Sequence, residues 1–488
     1  MSSPTVSAYP RRWLALAVIA VAQLMIVLDI TIVNIALPSA TVDLGITDAD
    51  RQWVVTAYTI AFGGLLLLGG RISDYWGRKR AFIAGMIGFA FASALGGLAT
   101  NAILLFAARG LQGAFAALLA PASLALLTVL FHDAKERARA FGVYGAIAGG
   151  GSAIGLVLGG VLTEYASWRW CLLVNVPVAL LAMAAAIRLV PESRTEGSTK
   201  YDVPGAVLAT LGLMSLVYGF TKAATDGWGA GVTVLFLGLG VLLLALFLAW
   251  EARTPNPLLP LRIILERNRG GAFLSSLLVG AGLFGSFLFL TFYFQGTLGY
   301  TPLEAGLASL PVTLGVLIGA GIASVLLPRY GARGMMIVGP LIAGGAMFSL
   351  SWLGVETSFV AHLLPAEIFL GLGMGLVFVP LASLALVGVS NNDAGAASAV
   401  LNATQQIGGS LGTALLNTIA TTAAATYLAA NLPPTQAIGA EAAVAGYTTA
   451  FAWGGGIIAL AAVVVAVFVR AGKDEVANVP LVPAGDPA

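Results

Sequence analysis

Long apolar runs broken by short polar stretches dominate this chain. Fourteen of them approach or exceed the roughly 20 residues that a helix needs to cross a hydrocarbon layer. They lie near residues 13–37, 51–69, 81–99, 102–130, 140–163 and 171–190, then 203–222 and 230–250, then 270–296, 303–327, 334–354, 362–388, 396–424 and 445–470. The pattern predicts an all-α polytopic membrane protein with 14 transmembrane helices. It divides into a six-helix bundle over 13–190, an inserted pair over 203–250, a second six-helix bundle over 270–470 and a cytoplasmic tail over 471–488.

The polar stretches orient the chain, because lysine and arginine accumulate in cytoplasmic loops. With the amino terminus inside, 20 of the 24 Lys and Arg residues fall on that side; Arg51, Arg169 and Lys222 fall outside, and Arg109 lies within a span. Both termini are expected in the cytoplasm, with the chain crossing the plasma membrane many times. Arg11-Arg12 ahead of an apolar run imitates a signal peptide. That run is longer than a signal core and many spans follow it, so it reads as a retained first helix.

Composition sharpens the picture. Charged residues make up 9% of the chain and hydrophobic ones 59%, against roughly 25% charged in soluble domains. A net charge of +2, scattered among short loops, offers no nucleic-acid surface. The single cysteine, Cys171, leaves no intrachain disulfide. The 61 glycines suit closely packed membrane helices.

The halves echo each other. Gly77 and Gly85 match Gly331 and Gly339 at an offset of 254 residues; Ala122–Leu126 and Ala382–Leu386 share the sequence ASLAL at 260; Gly151 and Gly155 match Gly408 and Gly412 at 257. Six spans repeated in one orientation describe two parallel halves with a binding site between them. The pair over 203–250 is then an insertion.

A few polar groups interrupt the spans. Asp29 lies deep in the first, where a carboxylate costs about 2.5–3.5 kcal/mol even on lenient insertion scales, so it faces protein or a water-filled cavity. It is either a proton and substrate-cation site or the partner of a buried polar group. Arg109, Gln112, Gly113, Ala116, Ala117 and Ala120 share one face of the fourth span. Small-residue packing accounts for the alanines. Arg109 keeps its proton, so it tunes a carboxylate or answers a carbonyl cluster. Asn402, Gln406, Gly409, Thr413 and Asn417 form a stripe in the thirteenth span, read either as interhelical hydrogen bonding or as a polar cavity wall. Phe292 and Tyr293 in the ninth span, with Tyr58 in the second, offer ring faces to a flat or cationic ligand, or serve packing. Glu304 and Glu367 lie near the outer ends of the tenth and twelfth spans; Glu367 is the better second acid for coupling.

Other chemistry finds little support. The one Gly-Lys pair, Gly472-Lys473, is followed by Asp474 and forms no phosphate-binding loop. The two histidines, His132 and His362, stand in no metal-ligand or nucleophile arrangement. No cofactor and no metal is expected, and a membrane-embedded enzyme is the weakest of the functional classes. Oligomeric state leaves no mark.

The segment Gly70-Arg71-Ile72-Ser73-Asp74-Tyr75-Trp76-Gly77-Arg78-Lys79-Arg80 combines turn glycines, a basic anchor and one acid. Asp74 there is expected to pair with arginines or cap a helix N-terminus, holding one conformation closed. The segment resembles the signature loop of the major facilitator superfamily, with Tyr75 in place of the usual arginine. Leu28–Pro38 around Asp29, Arg109-Gly110-Leu111-Gln112-Gly113, and Gly151 to Gly160 resemble motifs of its fourteen-span drug:proton antiporters. Leu156 replaces a proline usual in the last of these. The resemblance implies an antiporter exporting lipophilic drugs or antibiotics from the cytoplasm or inner leaflet by alternating access, with protons, small lipophilic substrates and the bilayer as its partners. It implies proton coupling through Asp29, Arg109 and Glu367, and a substrate cavity including Tyr58, Gln112, Phe292, Tyr293, Asn402, Gln406 and Asn417. Gating falls to Gly70, Asp74, Gly77, Arg78, Gly151, Gly155 and Gly159. An importer or lipid transporter on the same fold is the alternative.

Overall fold

The computed structural model describes residues 10–131, 134–193, 202–255, 257–259, 261–386, 394–431, 433 and 435–470. The first group of helices comprises α1 (Arg12–Leu44), α2 (Trp53–Trp76), α3 (Arg78–Gly97), α4 (Ala102–Leu130), α5 (Ala134–Tyr165), α6 (Trp170–Leu173) and α7 (Asn175–Leu189). The pair α8 (Val203–Asp226) and α9 (Gly231–Glu251) follows, then a single turn, α10 (Leu261–Ile264). The second group is α11 (Arg267–Phe292), α12 (Pro302–Ala308), α13 (Leu310–Tyr330), α14 (Ala332–Leu350), α15 (Leu364–Leu386), α16 (Ala394–Ala430) and α17 (Gln436–Phe468). A wide π turn, Tyr293–Thr297, prolongs α11, and another, Phe359–Leu363, leads into α15.

Among the described residues, eleven helical segments are long and apolar enough to cross a membrane. Three more helices, α2, α5 and α16, run for 24, 32 and 37 residues. The apolar runs predict where helices lie but not where they stop. α1 continues past Pro38 to Gly45, whose positive φ of 62° ends it and whose N–H bonds the Thr41 carbonyl. Local capping sets other starts: Asn101 accepts from the Leu104 N–H ahead of α4, and Thr301 and Glu304 cap α12 reciprocally.

The internal repeat reappears in the packing. Gly77 (φ 117°) and Gly331 (φ 75°) make the matched turns from α2 to α3 and from α13 to α14, a backbone region that favours glycine. Gly85 abuts Leu119 of α4, while Gly339 abuts Gly373, Leu376 and Val377 of α15. Gly151 and Gly155 bring α5 against Leu24, Val27 and Thr31 of α1, as Gly408 and Gly412 bring α16 against Leu277 and Ala281 of α11. Small residues at these crossings let backbones approach where lipid gives no hydrophobic drive.

The two groups meet along α2–α16 and α5–α12. One apolar core joins them at the end bearing the α1–α2 loop (residues 45–52): Val33, Leu37 and Ala40 of α1 share it with Phe289, Phe292 and Phe294. Gly160 packs on Leu303, the Leu303 N–H donates to Glu164 Oε2 at 3.1 Å, and Gln295 Nε2 donates to the Ile35 carbonyl at 2.8 Å. The helix groups are closed against each other at this end.

Helix α8 lies over the α2–α16 seam, with α9 packed on it. Leu213 and Val217 of α8 share a core with Ile60 and Ala414. Gln52 Nε2 donates to Thr221 Oγ1 at 2.6 Å, and Thr418 Oγ1 donates to the Phe220 carbonyl at 2.8 Å.

Candidate functional site

Asp29 stands midway along α1, fully buried, with Arg109 and Gln112 one helical turn apart on α4. Arg109 Nη1 donates to Asp29 Oδ2 at 2.5 Å and to Gln112 Oε1 at 2.8 Å. Gln112 Nε2 donates to Asp29 Oδ1 at 2.9 Å and to Ser93 Oγ of α3 at 2.7 Å. Asn175 Nδ2, at the start of α7, reaches the same Oδ1 at 2.9 Å. Arg109 Nε donates to the Val54 carbonyl of α2 at 2.9 Å, and its guanidinium carbon lies 4.5 Å from the centre of the Tyr58 ring. One carboxylate thus ties together five helices.

The energetics of such a knot are lopsided. Taking two charges out of water costs several kcal/mol per ion, and only good geometry with further hydrogen bonds offsets that. Here both charges are wholly buried, and three donors serve the two Asp29 oxygens. Loss of Arg109 strands a desolvated carboxylate, whereas loss of Gln112 or Asn175 removes one of the two donors on Oδ1. A neutral carboxylic acid in this place would offer Arg109 no charge and keep less acceptor capacity for the amides.

The α5 glycines flank this point. Gly155 faces Thr31 and Gly159 faces Ile32, the α1 residues two and three positions after Asp29, while Gly151 faces Leu24 and Val27 before it. Any sliding of α5 acts on the turn that carries the carboxylate.

The remaining sequence candidates are dispersed. Glu367 is wholly buried near the start of α15, and neither oxygen has a hydrogen-bond partner among the described residues. It is no part of the Asp29 network. Tyr293 is buried and donates its hydroxyl to the Gly354 carbonyl at 2.6 Å, fixing the segment before α15. Phe292 instead meets Arg51, and Asn417 accepts from Arg51 Nε at 3.1 Å. Gln406 lies against Gly63 of α2, with its Oε1 unpartnered among the described residues, and Asn402 is exposed. Gly70 approaches Pro121, and the Arg78 N–H donates to the Ser193 carbonyl at 2.8 Å. The Asp74 side chain lies outside the described residues.

Four residues escaped the sequence reading. Glu192, just after α7, accepts from the Lys79 N–H at 3.1 Å and lies 3.5 Å from Arg80 Nε, so an acid caps the first turn of α3. Its signal was an acid closing a span opposite a basic loop. Asn175 and Ser93 complete the Asp29 shell. Both are polar residues in apolar runs, but only the fold reveals that they converge. Arg51, counted only as one of the few outer cations, is 4% exposed and bridges the two helix groups.

Two groups of helices related by a parallel repeat, with a buried charge pair on facing helices, are the architecture of a secondary transporter. The sequence profile of the Major Facilitator Superfamily matches residues 19–413, and the chain belongs to that family. It is 50% identical over 483 residues to the puromycin resistance protein pur8 of Streptomyces alboniger, covering 97% of this chain and 95% of that one. It is 40% identical over 409 residues to the cephamycin export protein CmcT of Amycolatopsis lactamdurans (83% and 84% covered), and 36% identical over 409 residues to the lincomycin resistance protein of Streptomyces lincolnensis (83% of each). A solved structure of a bacterial homologue of the lysosomal transporter Spinster aligns at a TM-score of 0.61 with 16% identity, covering 95% of this chain and 96% of that one. This last likeness concerns the fold.

Proposed function

We propose that this protein is a fourteen-span antiporter that exports lipophilic antibiotics across the plasma membrane in exchange for protons. The observation that carries this reading is the saturated Asp29 carboxylate, held by Arg109, Gln112 and Asn175. Adding α2, α5 and α16 to the eleven apolar segments supports fourteen spans. The repeat packing supports bundles over 13–190 and 270–470 around the inserted pair over 203–250. The distribution of lysine and arginine supports cytoplasmic termini, which makes the closed end the extracellular one.

In this scheme the ionised Asp29 belongs to the inward-facing state, paired with Arg109 after its proton has left toward the cytoplasm. Substrate then binds from the cytoplasm or inner leaflet. Opening of the outer end lets a proton reach Asp29, which releases Arg109, Gln112 and Asn175, and substrate leaves. Glu367 is the second acid for coupling. Tyr58, Gln112, Phe292, Tyr293, Asn402, Gln406 and Asn417 contribute to the substrate path in the course of the cycle. Gly151, Gly155 and Gly159 let α5 shift along α1, and the loop of Gly70, Asp74, Gly77 and Arg78 holds the cytoplasmic side when it closes. The inserted pair keeps the α2–α16 seam sealed from lipid.

The relatives direct the choice of compound: puromycin first, then lincomycin and cephamycin. The test is uptake of labelled puromycin into inside-out liposomes containing purified protein, with an acidic lumen imposed. Accumulation that collapses with the pH gradient, and is absent in Asp29→Asn, is the expected result. Accumulation unchanged by a protonophore, or retained in Asp29→Asn, overturns the reading.

A further inference from the structure

Among the described residues Arg51 is the other buried cation, and its surroundings are unlike those of Arg109. It belongs to the α1–α2 loop of the first group, but its side chain is set into the second. Its guanidinium carbon lies 4.1 Å from the centre of the Phe292 ring and 5.9 Å from the centres of Phe289 and Tyr447. Nε donates to Asn417 Oδ1 at 3.1 Å. The one carboxylate it contacts, Asp48, comes from its own loop at 3.2 Å and is 81% exposed, so it remains in water. Asn417 in turn donates to the Asp48 carbonyl at 2.9 Å. The second group therefore offers three aromatic faces and one amide oxygen, with no counter-ion of its own among the described residues, a set suited to a single positive charge with a hydrogen-bond donor.

These contacts exist only while the two groups are closed at this end. Parting them removes Arg51 from the rings and leaves the Phe289–Phe292–Tyr447 cage and Asn417 unoccupied beside the opening. We propose that this cage is an exit station for monocationic amphiphiles. Substrate carrying one ammonium or iminium charge occupies it when the end opens, and the returning Arg51 displaces it. Arg51 is thus both the latch of the closed state and an intramolecular competitor for the site. The proposal rests on the export reading above for the direction of movement, but the site itself is defined by equilibrium binding.

The test uses full-length protein in lipid nanodiscs without a pH gradient, with ethidium as the monocationic probe and Nile red as a neutral one. Arg51→Ala is expected to bind ethidium about tenfold more tightly than the parent protein, while Nile red binding is unchanged. Arg51→Lys, which restores a cation to the cage, is expected to return ethidium affinity toward the parent value. Adding Phe292→Leu to Arg51→Ala is expected to abolish the gain; Tyr447→Leu serves in its place if that variant is not monodisperse. Parent-like ethidium affinity in Arg51→Ala overturns the proposal. So does a gain that survives loss of the ring, which would mark mere loosening of the closed end, or an equal gain for Nile red. Export can fail independently: ethidium that binds the cage as described, yet drives no proton movement in liposomes, refutes the antiport reading and leaves the station standing.

Discussion

Asp29 and Glu367 are both wholly buried, one in each helix group, yet their surroundings are opposite. Asp29 has a guanidinium and two amides on its two oxygens; Glu367 has no hydrogen-bond partner among the described residues. The two acids stand on different elements of the repeat: Asp29 on α1, whose mate is α11, and Glu367 on α15, the mate of α4. Beside α1, the fourth span carries Arg109 and Gln112; the buried residues of α15 beyond Glu367 include Leu370, Met374 and Val377. The lesson is that one fold can hold a carboxylate as the centre of a charged network or as a solitary group in an apolar wall. Only the former has partners to lose when a proton arrives.

The largest effect should come from breaking the network at its other charge. Arg109→Ala leaves Asp29 buried without its counter-ion and is expected to cost about 3–5 kcal/mol, seen as a large fall in thermal stability of the purified protein. Combining it with Asp29→Asn should recover part of that loss, because the stranded charge is gone. Lack of any recovery would mean that Arg109 stabilises chiefly through Val54 and Tyr58. A smaller loss, about 1–3 kcal/mol, is expected for Asn175→Ala, which strips one donor from Asp29 Oδ1. Similar in size is Gly77→Ala, about 1–3 kcal/mol, because its φ of 117° is hostile to a side chain and a Cβ would meet Glu192 Oε1 at 2.7 Å. Smallest is Glu367→Gln: with no partner to remove, its stability should stay within about 1 kcal/mol of the parent, while the proton count per exported molecule falls. A stability loss as large as that of Arg109→Ala would erase the contrast between the two acids.

Much of the architecture was legible in the sequence because a bilayer imposes simple rules. Span length and the ordered glycine matches reflect local constraints, and those matches fall on equivalent turns and crossings. Asp29, Arg109 and Gln112 were legible as candidates because polar groups in apolar runs are expensive. Their convergence was not, since nothing in sequence spacing aims Asn175 or Ser93 at the same carboxylate. Arg51 was hidden for the opposite reason: a cation in a short loop looks solvated until the second helix group encloses it. Tyr293 and Phe292 show the same limit, as neighbours in one aromatic run with separate tasks, one fixing a loop carbonyl and the other meeting Arg51. Helix ends were also poorly marked, because α1, α16 and α17 continue beyond their apolar windows.

The central claim is that Asp29 exchanges its proton for substrate. The most direct measurement is proton release from purified protein in weakly buffered detergent, followed with a pH-sensitive dye as puromycin is added. The account predicts release that saturates with puromycin in the parent protein and in Glu367→Gln, and none from Asp29→Asn. Equal release from Asp29→Asn, with its stability intact, would contradict it.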